Sequence, residues 1–575
     1  METGQCLAGI CFIALDPAAQ KFFGFSEYLA ALALMVLAWT TTDIRHRFRV
    51  ATAPLPLHLI SFISVASVGI LALLTDLWRA EGWLVPKGTL LSPAMWQATL
   101  GGIFLLNFIS WAGFAYMLPP RFGRQNSKRF ASFLYRCVID GSPEDMAIIG
   151  QELVRSIPTL IRHAPDLRGN CRISDGEQHV EFTDVQAVAN DILLLIADPR
   201  FCRSLVDKSP GTILKLFQEI SETKKHGVSI LQFSRNVVEA AIENRNSFMY
   251  HETDGYMTGL MGYHKPISQS IFGDYWMAEE IGSILDPNFT AKRRWSAIEW
   301  EAYVRAVLTT LRSYAENGLR GHSYVLYRAL DSVGHSMIDL YKLDGIDGGS
   351  WERDEYQRLK VAVDFCNDCV KILDEFKVPA GTYMRVRKGD PLFYESFLDH
   401  LAETMIEIIF KAALITKPQS LCWTVQHNTV WSEFFNQLGG DGPARRIVKF
   451  KLRRKIYDEI VTAGKWANFK NVRMLAFCLN VMGLELHSDS YGRDSRALHK
   501  AVLAWVKRNF ARLHEEAPQI IAECLPQDLS YDSTENCIVK TREADAFRRS
   551  PQYIRFHVDP LPKENAVALD QAMDG

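Results

Sequence analysis

Three long apolar stretches open the chain, and a helical alternation of apolar and polar positions fills most of the remainder. Phe22–Thr42 is apolar apart from Ser26, Glu27 and the threonines at its end. Leu55–Thr75 carries only His58 and a few serines, and Ala94–Leu118 only Gln97 and Asn107 as strongly polar groups. At 1.5 Å per helical residue, each stretch is long enough for a hydrocarbon core about 30 Å thick. Buried helices of soluble proteins rarely run so far without a charge, so residues 22–118 are expected to form a three-helix transmembrane bundle (22–42, 55–75, 94–118). Trp78, Trp83 and Trp96 fall where an interfacial aromatic belt would lie. Gly101, Gly102 and Gly113 offer small faces for helix contact, and Asn107 suits either a hydrogen bond between helices or a conduit lining. Leu7–Leu15 is too short to span, and is expected on the outer membrane surface or as an extension of the first helix.

From Ser142 the period is helical almost throughout. Met146, Ile149, Leu153 and Ile157 recur at three- and four-residue spacing, and similar patterns follow to His514. Turn signals such as Asp347-Gly-Gly, Pro379-Ala-Gly and Gly439-Gly-Asp-Gly-Pro443 separate them. The expected fold class is all-α: the bundle, then a large, irregular, solenoid-like helical domain. Its boundaries read as an extracytoplasmic segment 1–21, the bundle 22–118, a basic juxtamembrane linker 119–141, and a helical domain 142–525 with two lobes meeting near 348. A polar tail, 526–575, closes the chain and is expected to be disordered from Ala566.

Charge then orients the chain. Asp43-Ile-Arg45-His-Arg47-Phe-Arg49 joins the first two spans, and Arg121-Phe-Gly-Arg124-Gln-Asn-Ser-Lys128-Arg129 follows the third, whereas Asp76–Pro93 holds only Arg79 and Lys87. Excess Lys and Arg marks the cytoplasmic side, so the N-terminus is expected outside and the long C-terminal part inside, in a bacterial inner membrane. Overall, 64 Lys+Arg against 66 Asp+Glu give no pull toward nucleic acid. The 11 cysteines form no framework and are expected as free thiols. Cys366-Asn-Asp-Cys369 lacks a second ligand pair and reads as two structural thiols, so neither cofactor nor metal is expected.

Two stretches break the pattern. Tyr250–Ala278 interrupts the helices with four glycines, six aromatics and two histidines. Tyr256, Tyr263, His264, Lys265, Tyr275 and Trp276 are its candidates for gripping a ligand or partner; self-packing of the loop is the structural alternative. Arg445, Arg446, Lys449, Lys451, Arg453, Arg454 and Lys455 form the strongest basic signal. With Val448, Leu452 and Ile456 along one side, they suit an anionic lipid surface or a solvated helix face paired with acidic neighbours.

Phosphate loops, dinucleotide fingerprints, His-Glu-x-x-His and Gly-x-Ser-x-Gly are absent from the sequence. Arg245-Asn-Ser-Phe-Met-Tyr-His251 and Arg508-Asn-Phe-Ala-Arg-Leu-His514 share Arg-Asn-x4-His, with Arg328 and His335 a poorer match. This spacing is similar to the Arg-x4–6-His motif of the HEPN ribonucleases, which are helical and often build one site from two motif copies. The resemblance covers seven residues at a time. It implies Arg245 and Arg508 as phosphate holders, and His251 and His514 as proton-transfer groups, in a metal-independent ribonuclease. The principal expectation is a membrane-anchored sensor, scaffold or signal relay, possible also as a bacterial defence component, whose helical domain binds a protein partner or ligand. The alternatives are an oligomeric pore, with Asn107, Gln97, His58 and Glu27 as its polar groups, and the tethered ribonuclease. Membrane lipids, a protein partner and further copies of the chain are the expected partners; nucleic acid is not.

Overall fold

The computed structural model describes residues 5–7, 10–14, 21–40, 43–86, 92–166, 183–252, 257–258, 262–263, 265–318, 321–376, 395–438, 442–486, 495–542 and 550–561. The chain divides into two compact units, Met1–Val237 and Val238–Gly575. This division falls well before the Gly348–Ser350 turn, which lies inside the second unit.

In the first unit, α1 (Phe25–Thr40), α2 (Ile44–Ala51), α3 (Leu57–Ala80) and α4 (Pro93–Ala112, continued by a π-helical turn Gly113–Met117) follow one another. Two helices, Leu57–Ala80 and Pro93–Met117, are long and apolar enough to cross a membrane. Two of the expected spans stand on their own, and the first makes a third only if α1 and α2 count together as one bent span. With 16 residues, α1 reaches about 24 Å at the helical rise, short of a hydrocarbon core. It qualifies only jointly with α2, which departs at 108°. The basic run of α2 makes protein contacts, with Arg45 and Arg49 on Glu152.

The three long helices share a core. Tyr28 and Met35 of α1, Val65, Val68 and Ala72 of α3, and Leu100 and Phe104 of α4 are buried together. The Tyr28 hydroxyl donates to the Val65 carbonyl oxygen at 3.0 Å. Gly69 is what admits that ring, because a Cβ there would lie 2.6 Å from Tyr28. Of the glycines singled out in the sequence, Gly101 faces Phe23 while Gly102 and Gly113 have no atom within 4 Å of an added Cβ. Outward, Leu34, Phe62, Ile70 and Leu106 are 60–70% exposed, an apolar surface that fits lipid and would be costly in water. Inward, the Ser61 hydroxyl donates to Asn107 Oδ1 at 3.0 Å, and Phe22 N–H to Gln97 Oε1 at 2.9 Å. Asn107 thus fits the interhelical role.

One end of these helices carries Trp78, Trp83 and Trp96, while Trp39 and Trp111 lie by the connector. Trp78 and Trp83 meet edge to face at 4.9 Å, and Trp96 Nε1 donates to Thr75 Oγ1 at 3.0 Å. Asp76 accepts Phe25 N–H at 2.9 Å and lies 3.4 Å from Lys21. Here β1 (Gln5–Leu7), β2 (Ile10–Ala14) and β3 (Leu84–Pro86) form an antiparallel sheet in that order. Of the two expectations for Leu7–Leu15, the extension of α1 is replaced by strand pairing of Ile10–Ala14 with the strand after α3, and the outer-surface placement is left as an expectation.

The unit continues through α5 (Ser127–Asp140), α6 (Pro143–Leu153), α7 (Ile157–His163), α8 (Asp184–Leu195), α9 (Pro199–Lys208) and α10 (Pro210–Thr223). A Ser142–Asp145 capping box and Pro143 in the first turn start α6. Helix α11 (Leu231–Glu243) runs through the boundary between units.

The second unit comprises α12 (Phe248–His251), α13 (Pro266–Phe272), α14 (Tyr275–Ile281), α15 (Phe289–Lys292), α16 (Ala297–Glu316), α17 (Tyr324–His335), α18 (Asp354–Glu375), α19 (Phe397–Ala412), α20 (Gln419–Trp423), α21 (Pro443–Ala463), α22 (Phe469–Met482), α23 (Arg496–Glu516) and α24 (Pro518–Cys524). A short hairpin, β4 (Met257–Thr258) and β5 (Gly262–Tyr263), lies among them. Cys366 and Cys369 are buried free thiols within α18. Where a polar tail was expected, β6 (Leu529–Asp532), β7 (Cys537–Arg542) and β8 (Gln552–His557) form an antiparallel meander. Buried Lys540 fastens it: Nζ donates to the Asn480 carbonyl at 2.8 Å and lies 3.4 Å from Asp528. Ala566–Gly575 lies outside the described residues.

Candidate functional site

Two polar assemblies stand out, one in each unit. In the first, the Arg49 guanidinium forks onto Glu152 of α6, with Nε and Nη2 at 2.8 and 2.7 Å from the two carboxylate oxygens. Arg49 Nη1 also donates to the Ala115 carbonyl at 3.2 Å, in the π-helical turn after α4. Arg45, one helical turn earlier, reaches Gln151 at 2.9 Å and Glu152 at 3.4 Å. Asn126 Nδ2 donates to the Thr52 carbonyl at 2.6 Å, and Arg129 to the carbonyls of Ala53 and Pro54 at 2.7 Å each. The connector between α1 and α3 is thereby clamped to the end of α4 and to α5 and α6. The pair is buried, with side chains 11% and 8% exposed. Removing one partner of such a pair costs about 3–5 kcal/mol, since the other charge is left dry and alone.

In the second unit, three segments converge on α19. His400, near the start of α19, faces His322, just ahead of α17, with Nε2 and Nδ1 2.8 Å apart. The Tyr327 ring lies 4.8 Å from His400 and 5.8 Å from His322. His322 is exposed and His400 is buried. Burial first, and then the neighbouring His322, hold the His400 imidazole below its ordinary proton affinity. Glu395 Oε2 lies 4.0 Å from His400 Nε2. Asp399 caps α19 by accepting the Ser396 hydroxyl and N–H, and forms a buried ion pair with Lys451 of α21. One turn on, Glu403 pairs with Lys455. From the other side, Glu279 of α14 accepts the Ser323 hydroxyl at 2.8 Å and the N–H groups of Tyr324 and Val325 at 2.9 and 3.1 Å, capping α17. Tyr275 packs on Tyr314 at 5.0 Å, and Tyr314 on Phe397 at 6.1 Å. Its hydroxyl donates to the Gly321 carbonyl at 2.6 Å, the residue before His322.

The residues singled out in the sequence divide sharply. Of the aromatic stretch, Tyr256 and His264 lie outside the described residues, and Tyr263 pairs through its backbone with Met257. Lys265 is half-buried, and burial lowers its proton affinity. Tyr275 is corrected from loop contact to core residue, 4% exposed, because it fills the space beside Tyr314; its neighbour Trp276 is 51% exposed. The basic run is divided between the body and the surface. Lys449 donates to the Phe435 carbonyl, and Lys451 is consumed by Asp399, so both point into the body. Arg445 reaches the Asn436 carbonyl and Arg454 pairs with Asp458. Arg446 and Arg454 are exposed; Arg453 and Lys455 are half-buried. The four-residue apolar spacing that buries Val448 and Leu452 carries the lysines beside them inward.

The two Arg-Asn-x4-His segments are not joined by a hydrogen bond or ion pair among the described residues. Arg245 is engaged by Glu299 at 2.9 Å, and His251 is exposed. Arg508 is exposed on α23, while His514 packs against Tyr531 at 4.7 Å. His322, His400, Tyr327 and Glu395 carried no signal in the sequence, since 78 residues separate the histidines and each sits in an ordinary amphipathic pattern. No protein-family model, curated protein or solved structure matches this chain.

Proposed function

We propose that the protein is a membrane-anchored relay: its apolar helices sense or hold a position in the bilayer, and its helical body, on the cytoplasmic side of a bacterial inner membrane, binds a protein partner or ligand. The observation that supports this reading is the clamp of Arg49 on Glu152 and the Ala115 carbonyl. A passive anchor needs only a flexible linker. A buried, bidentate pair between the connector and α6 is what a rigid transmission element requires. Changing the bilayer thickness changes helix tilt at modest cost, which gives a stimulus that needs no knowledge of the natural one. Full-length protein in bilayers of short and long acyl chains is compared by hydrogen exchange. The expected result is a thickness-dependent change in α5 and α6 in the wild type, lost in Arg49→Met/Glu152→Leu. Identical exchange of α5 and α6 in both bilayers would overturn the relay and leave a simple anchor.

A further inference from the structure

We propose that His322, His400 and Glu395 form a binding site for one divalent transition metal ion of the zinc class. This site is separate from the proposed relay and does not depend on it.

The first ground is geometry. Two ring nitrogens face each other at 2.8 Å, and only one proton fits between them. A tetrahedral ion bonded to both at 2.0–2.1 Å needs them about 3.3 Å apart. His322 is exposed and precedes α17, so an opening of about half an ångström requires only a turn of its side chain. His400 is held in place: its helix start is fixed by the Ser396–Asp399 cap and by Lys451.

Charge is the second ground. Of the three carboxylates beside His400, Asp399 is neutralised by Lys451 and Glu403 by Lys455. Glu395 has no Lys or Arg partner among the described residues, and its side chain is 59% exposed and free to swing. Two imidazoles facing each other beside one unspent carboxylate attract a cation.

Ligand type chooses the class. Two imidazoles and a carboxylate favour zinc, cobalt, nickel or copper over magnesium and calcium, which take oxygen donors. Three protein ligands leave a fourth position for water or for a group from a bound partner. The acidic grouping of Asp532, Glu535 and Cys537, whose ligand atoms already lie within 4.8 Å of one another, is engaged, whereas Glu395 has to swing in to complete the histidine pair. Asp532 accepts from Thr534 and Glu535, and Glu535 pairs with Arg555.

The test uses the full chain in detergent, stripped with a chelator, then titrated with zinc against a zinc-responsive dye. One ion per chain is expected, and binding should weaken at least about tenfold in His322→Ala, in His400→Ala and in Glu395→Gln. Cobalt in place of zinc should give the intense visible bands of a tetrahedral site, absent from His322→Ala. Because His322 is exposed, that variant keeps its fold, and its circular dichroism should match the wild type. Stoichiometric zinc retained in His322→Ala/His400→Ala, or no zinc bound by the wild type, would overturn the site.

Discussion

Burial decides what a charged residue is worth in this chain. Arg49 and Lys451 are dry and paired, whereas Arg446 and Arg454 stand in water. Arg49→Met should therefore lower the stability of the first unit by about 3–5 kcal/mol, and adding Glu152→Leu should restore most of it, because the lone buried carboxylate is removed. Arg454→Ala, breaking a surface pair with Asp458, should cost about 0.5 kcal/mol or less. Thermal unfolding in detergent separates the two. His400 supplies a pH counterpart. Its folded proton affinity lies below the ordinary value of 6.5, so the folded chain binds fewer protons there than the unfolded one. Its contribution is intact above about pH 6.5, shrinks as the pH falls below that value, and levels off below the folded pKa. In chelator, denaturant unfolding of His400→Asn should lose that part of the slope as the pH falls below about 6.5. An unchanged slope would mean that His400 is not titrating. Sequence showed the charges of Arg45, Arg47 and Arg49, but Glu152 lies 103 residues away from Arg49, and no local pattern reports such a partner.

At the scale of elements, apolar length was the legible quantity and close approach was not. The runs behind α3 and α4 stand out in any hydropathy reading. The place where α1 touches α3 depends on one glycine that resembles any other. Gly69→Ala should drive a methyl group into the Tyr28 ring and cost about 1–3 kcal/mol. Gly102→Ala, with nothing within 4 Å, should stay within about 0.5 kcal/mol of the wild type. Reversible unfolding in mixed micelles would compare them; equal losses would put the α1–α3 contact elsewhere. The C-terminal meander was hidden for a related reason. Its strands are four to six residues long and mix Lys, Arg and Asp with apolar residues, so their composition looks like a tail. Lys540 gains its place through Asn480, Asp528 and the Trp423 ring, which the sequence sets apart from it.

For the whole molecule, the open question of topology turns on which positive charges remain free to face a membrane surface. Arg45, Arg49 and Arg129 are committed to protein contacts and Lys128 to Asp184. Arg47, Arg121 and Arg124 stay exposed at the connector end. At the tryptophan end Lys21 is paired with Asp76 and Arg79 is buried. Among the described residues the excess survives the subtraction, so the orientation proposed above puts the connector end inside. A cysteine at Gly82 should react with a membrane-impermeant maleimide on intact cells, and one at Arg124 only after permeabilisation. Eight of the 11 native cysteines are buried, and serine at Cys6, Cys11 and Cys171 keeps the background low. Reversed labelling would invert the orientation. Cysteine at Lys21 tests the short first helix in the same experiment. Lys21 lies 3.4 Å from Asp76, so if α1 runs beside α3 within the bilayer, Lys21 and Gly82 must label from the same side. Labelling at Gly82 with protection at Lys21 would leave α3 and α4 as the crossing pair and place α1 against the inner surface, where its 16 residues would have no core to span.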